Sequence, residues 1–355
     1  MTVSPAAAAI ERPGGLAAES RAEVLDRAEQ RLVDLLGAEH AEWSAVDPRA
    51  AVPVDAIREL VRAGGKRLRP AFCAAGFLSA GGDPGDSRVA DAAAAVELLH
   101  AFALIHDDVI DDSDLRRGIP TVHVQHTARH QASGWQGEPR RYGEGIAILA
   151  GDLAFSYAAQ LTQELPARAR QVWSRMTSEM IVGQHLDVTV AAESVPDPKL
   201  ARYIANAKSG RYSIHRPLEL GAALAGDASA AAAFEAYGTA LGEAFQLRDD
   251  LIDTYGDKDT VGKPVGADAG QHKMTLLVSL AALRDASVGE LVRAAEWDAA
   301  ALAEALNGNG VREEVERRIE ELVAEAKGAL ATAPLPEEWK QELALMAEEV
   351  AFRDH

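Results

Sequence analysis

The chain has 355 residues, 48% of them hydrophobic, so it is long enough to bury a sizeable core. Its 36 basic and 55 acidic residues give a formal charge of -19, and we therefore expect no nucleic-acid partner. The single cysteine, Cys73, excludes an intramolecular disulfide and indicates a reducing, cytoplasmic environment. The longest apolar stretch, residues 92–105, is shorter than the roughly 20 residues that span a bilayer, so no membrane span is expected.

Residues 1–18 are rich in Ala, Pro and Gly, and we expect them to be disordered. Residues 19–355 form the single predicted domain, where apolar residues recur at intervals of three and four, the period of a helix. In chain order, helices are predicted at about residues 24–36, 55–63, 70–80, 89–110, 146–163, 167–190, 198–225, 230–255, 275–284, 288–306, 311–330 and 336–352. Longer loops are predicted at residues 131–145 and 256–273, and no segment alternates with a period of two. The predicted fold is an all-α, single-domain helical bundle without a sheet.

Two acidic motifs stand on different predicted helices. The first, residues 106–114, reads HDDVIDDSD, and the second, residues 249–253, reads DDLID. Asp107 and Asp111 are four residues apart and lie on one helix face, as do Asp249 and Asp253. Mg²⁺ is commonly held by one or two carboxylates plus substrate phosphates, so each pair suits this ion. Either motif alone could be a solvated acidic face, but apolar residues precede both, which places each at the mouth of a buried helix.

Basic residues accompany the acidic motifs. Residues 64–70 read GGKRLRP, where the glycines let backbone N–H groups approach an anion. Lys66 supplies a point charge, and Arg69 can donate two hydrogen bonds to a phosphate. Arg116 and Arg117 follow the first motif at once, and they either pair with its aspartates or bind phosphate. The other cations that we consider are Lys208, Lys263 and Lys273.

Four segments occur in a specific order. They are GGKRLRP at 64–70, LIHDDVIDDSDLRRG at 104–118, GQHLD at 183–187 and FQLRDDLID at 245–253. This combination closely resembles the trans-isoprenyl diphosphate synthases of the polyprenyl synthetase family, from about residue 21 to the C-terminus. The resemblance implies a helical bundle of the isoprenoid synthase type with a central active-site cavity, and it also implies a homodimer.

The same resemblance implies Mg²⁺ as the cofactor, three ions when the allylic diphosphate is bound. The implied metal ligands are Asp107, Asp111 and Asp249. The implied supporting catalytic residues are Asp108, Asp250, Asp253, Lys208 and Gln246. Isopentenyl diphosphate is expected at Gly65, Lys66, Arg69, His100 and Arg117. The allylic diphosphate is expected near Arg116, Lys208, Ser209, Gln246 and Lys263. Ser209 stands where the family usually has threonine, and it keeps the hydroxyl.

The implied reaction is ionisation, condensation and elimination. The double bond of isopentenyl diphosphate attacks the cation formed from dimethylallyl, geranyl or farnesyl diphosphate, and the departing pyrophosphate takes the proton. In this family, side chains just below the first motif limit the product. Phe102 and Ala103 occupy this position here, without the longer insertion of many farnesyl-producing enzymes. This pattern resembles C20-forming members and predicts geranylgeranyl diphosphate, with farnesyl diphosphate as the alternative.

Three other functions share some of these features. A class I terpene cyclase would share the helical fold and the first motif, but it does not need a basic site for a second diphosphate. A metal-dependent phosphohydrolase would use His106 with Asp107 and would recruit further histidines, for which His123, His126 and His130 are candidates. A non-catalytic partner subunit would be expected to lack some acidic ligands, and none is missing.

Overall fold

The computed structural model describes residues 15–256, 271–294, 297–307 and 310–353. The described chain is almost entirely helical, which confirms the all-α prediction. Its elements are α1 (Leu16–Val46), a 3₁₀ turn (Pro48–Ala51), α2 (Val52–Arg62), α3 (Leu68–Ser79), α4 (Ser87–Ile110), β1 (Leu115–Arg116), β2 (Ile119–Pro120), α5 (Val122–Ala132), α6 (Pro139–Leu161), α7 (Ala167–Glu193), α8 (Pro198–Ile204), a π-helical segment (Ala205–His215), α9 (Arg216–Ala225), α10 (Ala231–Tyr255), α11 (Leu276–Arg284), α12 (Ala286–Leu291), α13 (Ala299–Asn307), α14 (Val311–Ala331) and α15 (Glu337–Ala351).

Helix α4 lies at the centre of the bundle. It packs against α1, α3 and α6, and residues 92–99 are buried without interruption. By length and composition α4 could cross a membrane, but 67% of its most apolar window is buried inside the protein. Because other helices surround residues 92–99, this part of α4 is apolar on nearly all sides rather than along one stripe. The absence of a membrane span remains a prediction.

Glycines allow α3 and α9 to approach each other closely. A Cβ at Gly76 would lie 2.1 Å from the carbonyl oxygen of Leu218, and a Cβ at Gly221 would lie 2.1 Å from that of Cys73. No larger residue fits at either position without separating the two helices. Cys73 is fully buried beside this crossing, and burial raises the pKa of its thiol to about 12. The crossing fixes α9, and with it the π-helical segment that precedes α9 in the chain.

The prediction that the chain contains no sheet is wrong at one place. β1 and β2 pair as an antiparallel hairpin, with Leu115 opposite Pro120 and Arg116 opposite Ile119. Arg117 and Gly118 connect the strands with φ values of 54° and 75°, and a tight type I′ turn requires positive φ at both positions. Strands of two residues are too short to produce a period-two pattern, so periodicity could not reveal them.

Two predicted boundaries also differ from the structure. α1 begins at Leu16, and Ala17 is buried, so the ordered domain starts earlier than residue 19; residues 1–14 lie outside the described residues. The loop predicted at 131–145 is shorter, because α6 begins at Pro139. Proline is favourable at the first helical position, and the Glu138 carboxylate accepts hydrogen bonds from the backbone N–H groups of the next residues. The helix predicted at 288–306 is divided between α12 and α13.

The helix predicted at 198–225 is continuous, but its middle is the π-helical segment. Here the backbone bonds skip one residue more than in an α-helix, and the N–H of Arg216 donates to the carbonyl of Arg211. Pro217 follows directly, at the start of α9. A proline has no N–H to donate and crowds the preceding turn, so it fits where the bonding pattern changes. π-helical turns often occur at functional sites, and this one carries Lys208 and Ser209.

Candidate active site

A cavity of about 670 Å³, here called the main cavity, lies between α4, α7, α10 and the π-helical segment. Ten of the predicted site residues line it: Arg69, His100, Phe102, Ala103, Asp107, Lys208, Ser209, Gln246, Asp249 and Asp253. Seven others lie outside its lining: Gly65, Lys66, Asp108, Asp111, Arg116, Arg117 and Asp250. Lys263 falls outside the described residues. Most of the residues chosen from four distant segments therefore meet at one place.

The first acidic motif ends α4 at the mouth of the main cavity. Asp107 accepts a hydrogen bond from Gln184 at 2.9 Å, and the Lys208 ammonium lies 3.3 Å from its carboxylate. Asp111 lies beside the cavity, where the Lys273 ammonium is 2.6 Å from its carboxylate. Two carboxylates one helical turn apart are thus each held by a lysine. The arrangement shows that this site favours cations.

The two carboxyl groups have different pKa values. Burial by itself would raise the pKa of Asp107, but Lys208, Lys273 and Arg116 outweigh burial and lower that pKa. Burial and the charge of Asp107 raise the pKa of Asp111, and Lys273 offsets them only in part. The neighbouring cations therefore lower the pKa of Asp107, while the pKa of Asp111 stays raised because the charge of Asp107 adds to burial.

Asp108 has a structural role within the motif. It is buried, and the Arg116 guanidinium donates to its carboxylate from Nε at 2.9 Å. Burial raises the pKa of Asp108 to about 6, although Arg116 opposes this shift. Arg116 thereby anchors the β1–β2 hairpin to α4, and its guanidinium also lies 3.7 Å from the carboxylate of Asp107, so its binding to the allylic diphosphate stays a prediction. Of the two alternatives for Arg116, the structure shows the salt bridge.

The second acidic motif, on α10, divides in a similar way. Asp249 and Asp253 line the main cavity, whereas Asp250 is buried and accepts a hydrogen bond from Gln246 at 2.8 Å. Asp250 lines a small adjoining pocket of about 80 Å³. Asp249 is paired at 2.5 Å with Arg353, which comes from the C-terminal end of the described chain. The outer aspartates of this motif thus face the first motif across the cavity.

Arg69, His100 and Tyr212 form a connected group in the cavity wall. His100 Nδ1 lies 2.7 Å from the Tyr212 hydroxyl, and the Arg69 guanidinium lies over the Tyr212 ring at 4.3 Å. Burial lowers the pKa of His100 well below its usual value, and the guanidiniums of Arg69 and Arg117 lower it further. His100 is therefore neutral, and it can exchange hydrogen bonds without adding charge.

The glycine-rich segment lies next to this group. A Cβ at Gly65 would be 2.8 Å from the guanidinium of Arg117, so only glycine lets this arginine pack there. Lys66 is exposed at the rim. Arg67 binds Glu97 inside the protein, whereas neither Arg69 nor Arg117 has an ion-pair partner among the described residues. Two guanidiniums without ion-pair partners near the cavity suit an anionic ligand, and we propose them as an anion site.

Lys208 and Ser209 reach the cavity from the π-helical segment. Lys208 bridges Asp107 and Asp187, at 2.7 Å from the latter, and thereby ties this segment to α4 and α7. A Cβ at Gly183 would lie 2.5 Å from the backbone nitrogen of Lys208, so glycine sets the close contact of α7 with the segment. Ser209 lines both the main cavity and the small adjoining pocket.

Aromatic side chains close the cavity below the first motif. Phe102 lies at 4.7 Å from the ring centre of His106 and at 5.2 Å from that of Phe155, a residue of α6. The His106 ring fits over Gly151, where a Cβ would be 2.1 Å away, and its Nε2 lies 3.0 Å from the carbonyl oxygen of Ile148. Ala103 is the small neighbour of this cluster. Phe102 is thus braced from two sides.

The carboxylates fit Mg²⁺ better than a metal held by protein ligands alone. In the described parts of the chain, no group of three or more His, Cys, Asp and Glu side chains is close enough to hold a metal ion. The acidic side chains instead form two pairs on opposite helices, and an ion that takes one or two carboxylates and completes its shell with phosphate oxygens suits them. The carboxylate oxygens of these two pairs are the kind of ligand that Mg²⁺ prefers.

The histidines of α5 do not contact Asp107, although His123 Nε2 lies 3.9 Å from Asp112 at the end of the first motif. His123, His126 and His130 are buried against α6, and His130 packs between Trp135 and Tyr142. None of the three lines the main cavity. The histidine cluster that a phosphohydrolase site would need is therefore not formed with Asp107.

Several residues in the site were not predicted from the sequence. Gln184 and Asp187 belong to the GQHLD segment, for which the sequence predicted no role for individual residues. Tyr212 and Arg353 carried no signal, because a single tyrosine in a helix and a C-terminal arginine are common. Lys273 is one of the candidate cations named from the sequence, and the structure adds its contact with Asp111 and its place in the cavity lining.

The fold is all-α, and two pairs of carboxylates lie around one cavity together with several cations. This combination is typical of a protein that binds phosphorylated substrates. The polyprenyl synthetase family model matches residues 52–307. The chain therefore belongs to the polyprenyl synthetase family, as the resemblance of its motifs predicted.

Individual relatives agree with this assignment. The chain is 36% identical over 278 residues to the short chain isoprenyl diphosphate synthase of Methanothermobacter thermautotrophicus, which covers 76% of this chain and 74% of that protein. It is 33% identical over 267 residues to the farnesyl diphosphate synthase of Geobacillus stearothermophilus, covering 68% and 82%. Its fold matches the geranylgeranyl pyrophosphate synthase from Corynebacterium glutamicum, complexed with isoprenyl diphosphate and magnesium, with a TM-score of 0.87, 35% identity and coverage of 93% and 98%. The names of these three proteins indicate products of different chain length.

Proposed function

We propose that this chain is a prenyltransferase that condenses isopentenyl diphosphate with dimethylallyl, geranyl or farnesyl diphosphate. The observation that carries the proposal is the meeting of Asp107, Asp249 and Asp253 around one cavity that also holds Arg69. The paired carboxylates fit an allylic diphosphate bound through metal ions. The uncompensated guanidiniums fit a second diphosphate. A terpene cyclase has no use for this second anion site.

Mg²⁺, three ions in our proposal, would be held by Asp107, Asp111 and Asp249, and when bound it would neutralise the departing diphosphate. Lys208 and Lys273 already lie against the first motif, so they are placed to contact the same phosphate oxygens. Ser209, Gln246 and Lys263 complete the proposed allylic site. Asp108 and Asp250 hold their neighbours in position from inside the protein.

Isopentenyl diphosphate is assigned to the wall formed by Arg69, His100 and Arg117, with Lys66 at the rim. Neutral His100, held by Tyr212, can donate or accept one hydrogen bond there, while the two arginines supply the charge. This position leaves the double bond free to face the ionising allylic carbon. The departing pyrophosphate is the proposed proton acceptor, since carboxylates in the cavity are engaged with cations.

The proposed product is geranylgeranyl diphosphate, with farnesyl diphosphate as the alternative. Phe102, braced by His106 and Phe155, closes the cavity below Asp107, and small Ala103 leaves space beside it. The growing tail would extend until it meets this aromatic cluster. The relative named farnesyl diphosphate synthase is the reason to retain the shorter product.

We further propose that the protein is a cytoplasmic homodimer, without a membrane span or a nucleic-acid partner. Five apolar side chains of α6 and α7 are exposed by 44% to 57%: Ile148, Leu149, Ile181, Val182 and Val188. Groups of exposed apolar side chains often mark protein–protein contacts, and we infer that these five belong to the contact with a second copy. Ile181 and Val188 also line the main cavity, so a second copy covering this surface would close the cavity on one side.

The proposed function is tested with purified protein, isotopically labelled isopentenyl diphosphate and each allylic starter in turn. We expect the label to be incorporated only when Mg²⁺ is present, and we expect chromatography to show a C20 product. Release of phosphate without any condensed product would show a hydrolase instead. A cyclic hydrocarbon formed without isopentenyl diphosphate would show a cyclase. Products of C30 or longer would contradict the assigned chain length alone.

A further inference from the structure

A second cavity, of about 370 Å³, lies on the opposite side of α7 and the π-helical segment. It shares no lining residue with the main cavity. Its charged lining consists of Arg175 and Glu179 from α7, Lys199 and Arg202 from α8, and Arg211 from the π-helical segment. Four cations and one anion thus surround a concave space on a protein whose formal charge is -19.

The carboxylate of Glu179 does not neutralise these cations. Arg175 Nε lies 2.7 Å from it, Arg211 3.3 Å, and Arg216, behind the cavity wall, 2.8 Å. Arg216 also pairs with Glu219, so two carboxylates face three guanidiniums. The Arg175 side chain is 67% exposed and that of Arg211 is 32% exposed, so both guanidiniums can be reached by a ligand from solvent.

The other side of the second cavity adds further positive charge. Arg202 pairs at 2.8 Å with Glu243, and Glu243 is shared with Arg318 at 3.7 Å. Lys199 is exposed, and its ammonium has no ion-pair partner among the described residues. The side-chain oxygen of Asn206 is buried in this lining without a hydrogen-bond partner. The cavity is therefore an incompletely satisfied polar site.

We propose that the second cavity binds a diphosphate group, either free as pyrophosphate or carried by a prenyl chain. Guanidinium groups from several directions match a compact anion with many oxygens, because each can donate two hydrogen bonds. A nucleic acid or an anionic membrane is disfavoured, since such extended surfaces would meet the negative charge of the rest of the protein. The binding itself does not depend on the reaction proposed for the main cavity.

A ligand in the second cavity would act on two elements of the main cavity. α7 carries Glu179 towards the second cavity and Gln184 towards Asp107. The π-helical segment likewise carries Arg211 on one side and Lys208 on the other. Arginines that turn from Glu179 to a bound diphosphate would loosen the tie between these elements. The structure thus offers a physical route from this site to the catalytic groups.

The test is a calorimetric titration with inorganic pyrophosphate in EDTA, so that metal-mediated binding is suppressed. The variant Arg175→Gln/Lys199→Gln removes two exposed cations of the second cavity. The control Arg317→Gln/Lys327→Gln removes two exposed cations of α14 and changes the net charge equally. We expect the first variant to weaken one binding event about tenfold, and the control to titrate like the unmodified protein.

The proposal is overturned if the Arg175→Gln/Lys199→Gln variant titrates like the unmodified protein with both pyrophosphate and geranyl diphosphate, or if the control weakens binding equally. Turnover without added pyrophosphate should be unchanged in both variants, which shows that they are folded. If the double variant does not fold, Lys199→Gln alone carries the same test. Repeating the titration with geranyl diphosphate distinguishes the sources: weakening with both ligands identifies the head group as sufficient, and weakening with geranyl diphosphate only identifies a site that also needs the tail.

Discussion

Individual aspartates in the two motifs have different roles, although the motifs repeat the same letters. Asp107 faces the main cavity and contacts Lys208 and Gln184, whereas Asp108 is buried against Arg116. A side chain that faces the cavity can contact a metal or a phosphate, whereas one that points away from it, such as Asp108, holds another residue in place. Function at this scale is decided by the direction of each side chain on the helix.

Replacing Asp107 with asparagine tests the proposed metal site. The change keeps the shape but removes the charge, so we expect turnover to fall about 10²–10³-fold. The matched control is Asp112→Asn, since Asp112 is 66% exposed and asparagine accepts its φ of 50°. Incorporation of labelled isopentenyl diphosphate measures both. Equal activities of the two variants would remove Asp107 from the catalytic site.

Phe102 is the residue on which the product length is expected to depend. Replacing it with alanine removes the ring that His106 and Phe155 brace, so the tail can grow further and products beyond C20 should appear. Chromatography of the hydrolysed products measures the distribution. Leu283→Ala, at a position that is 65% exposed on α11, is the control and should leave the distribution unchanged. An unchanged product of Phe102→Ala would show that another residue limits the chain.

The π-helical segment is the element that organises the site. It presents Lys208 and Ser209 to the main cavity and Tyr212 to the anion site, and its contacts with α7 and α10 are set by glycines. Gly210 and Gly242 meet backbone to backbone, where a Cβ on either would approach the other within 2.8 Å. Because such contacts involve backbone atoms, a substitution must move a whole element rather than one side chain.

Gly183→Ala should therefore disturb catalysis without removing any catalytic group. Its new Cβ would press on the backbone of Lys208, and a displacement of about 1 Å of the catalytic groups can lower turnover about 10²-fold. Gly145→Ala in α6 is the control, because nothing lies within 4 Å of its Cβ. Steady-state turnover with saturating substrates measures the effect. Normal turnover of Gly183→Ala would show that the segment tolerates the shift.

The end of the same segment should make stability depend on pH. Burial, with Arg216 and Arg211 adding to it, lowers the pKa of His215 from 6.5 to about 3. Below pH 6.5 the unfolded chain therefore binds a proton that the folded protein does not, so folding weakens as the pH falls towards 3. At pH 5 this costs about 2 kcal/mol.

Urea unfolding at pH 7 and pH 5 tests this dependence on His215. The free energy of unfolding should fall more for the unmodified protein than for His215→Gln, by about 2 kcal/mol. Comparing the two pH values cancels the effect of the substitution on packing. Equal losses in both proteins would assign the pH dependence to the carboxylates instead.

At the scale of the whole molecule, a formal charge of -19 coexists with cations in the linings of both cavities. Charges separated by more than a Debye length, about 8 Å at physiological salt, are largely screened when they are exposed. The acidic surface therefore does not cancel Arg69, Arg117 or the cations around Glu179. In the proposed sites the local clusters of cations, not the net charge, would attract the ligand.

The apolar surface of α6 and α7 leads to a prediction about assembly. Leu149→Glu places a charge in the centre of the proposed dimer contact, and we expect the protein to become monomeric. Leu283→Glu changes an equally exposed leucine outside that surface and should leave a dimer. Sedimentation velocity distinguishes the two states. A Leu149→Glu variant that sediments like the unmodified protein would exclude this surface as the interface.

Much of the site could be predicted from the sequence because its groups are encoded locally. The i, i+4 spacing of Asp107 with Asp111 and of Asp249 with Asp253 follows from helix geometry alone. The order of the four motifs then indicated the family that the comparisons confirmed. The all-α fold followed in the same way from periodicity and from the scarcity of period-two segments.

Only the tertiary structure decided which of these groups act together. Arg353 reaches Asp249 from the end of the described residues, Arg116 pairs with Asp108, and Lys273 becomes the partner of Asp111. Pairing between residues far apart in the chain depends on how the helices pack, and no local pattern records it. The sequence by itself determined the helices and the two acidic motifs, whereas packing through small residues such as Gly183 brought them to one cavity.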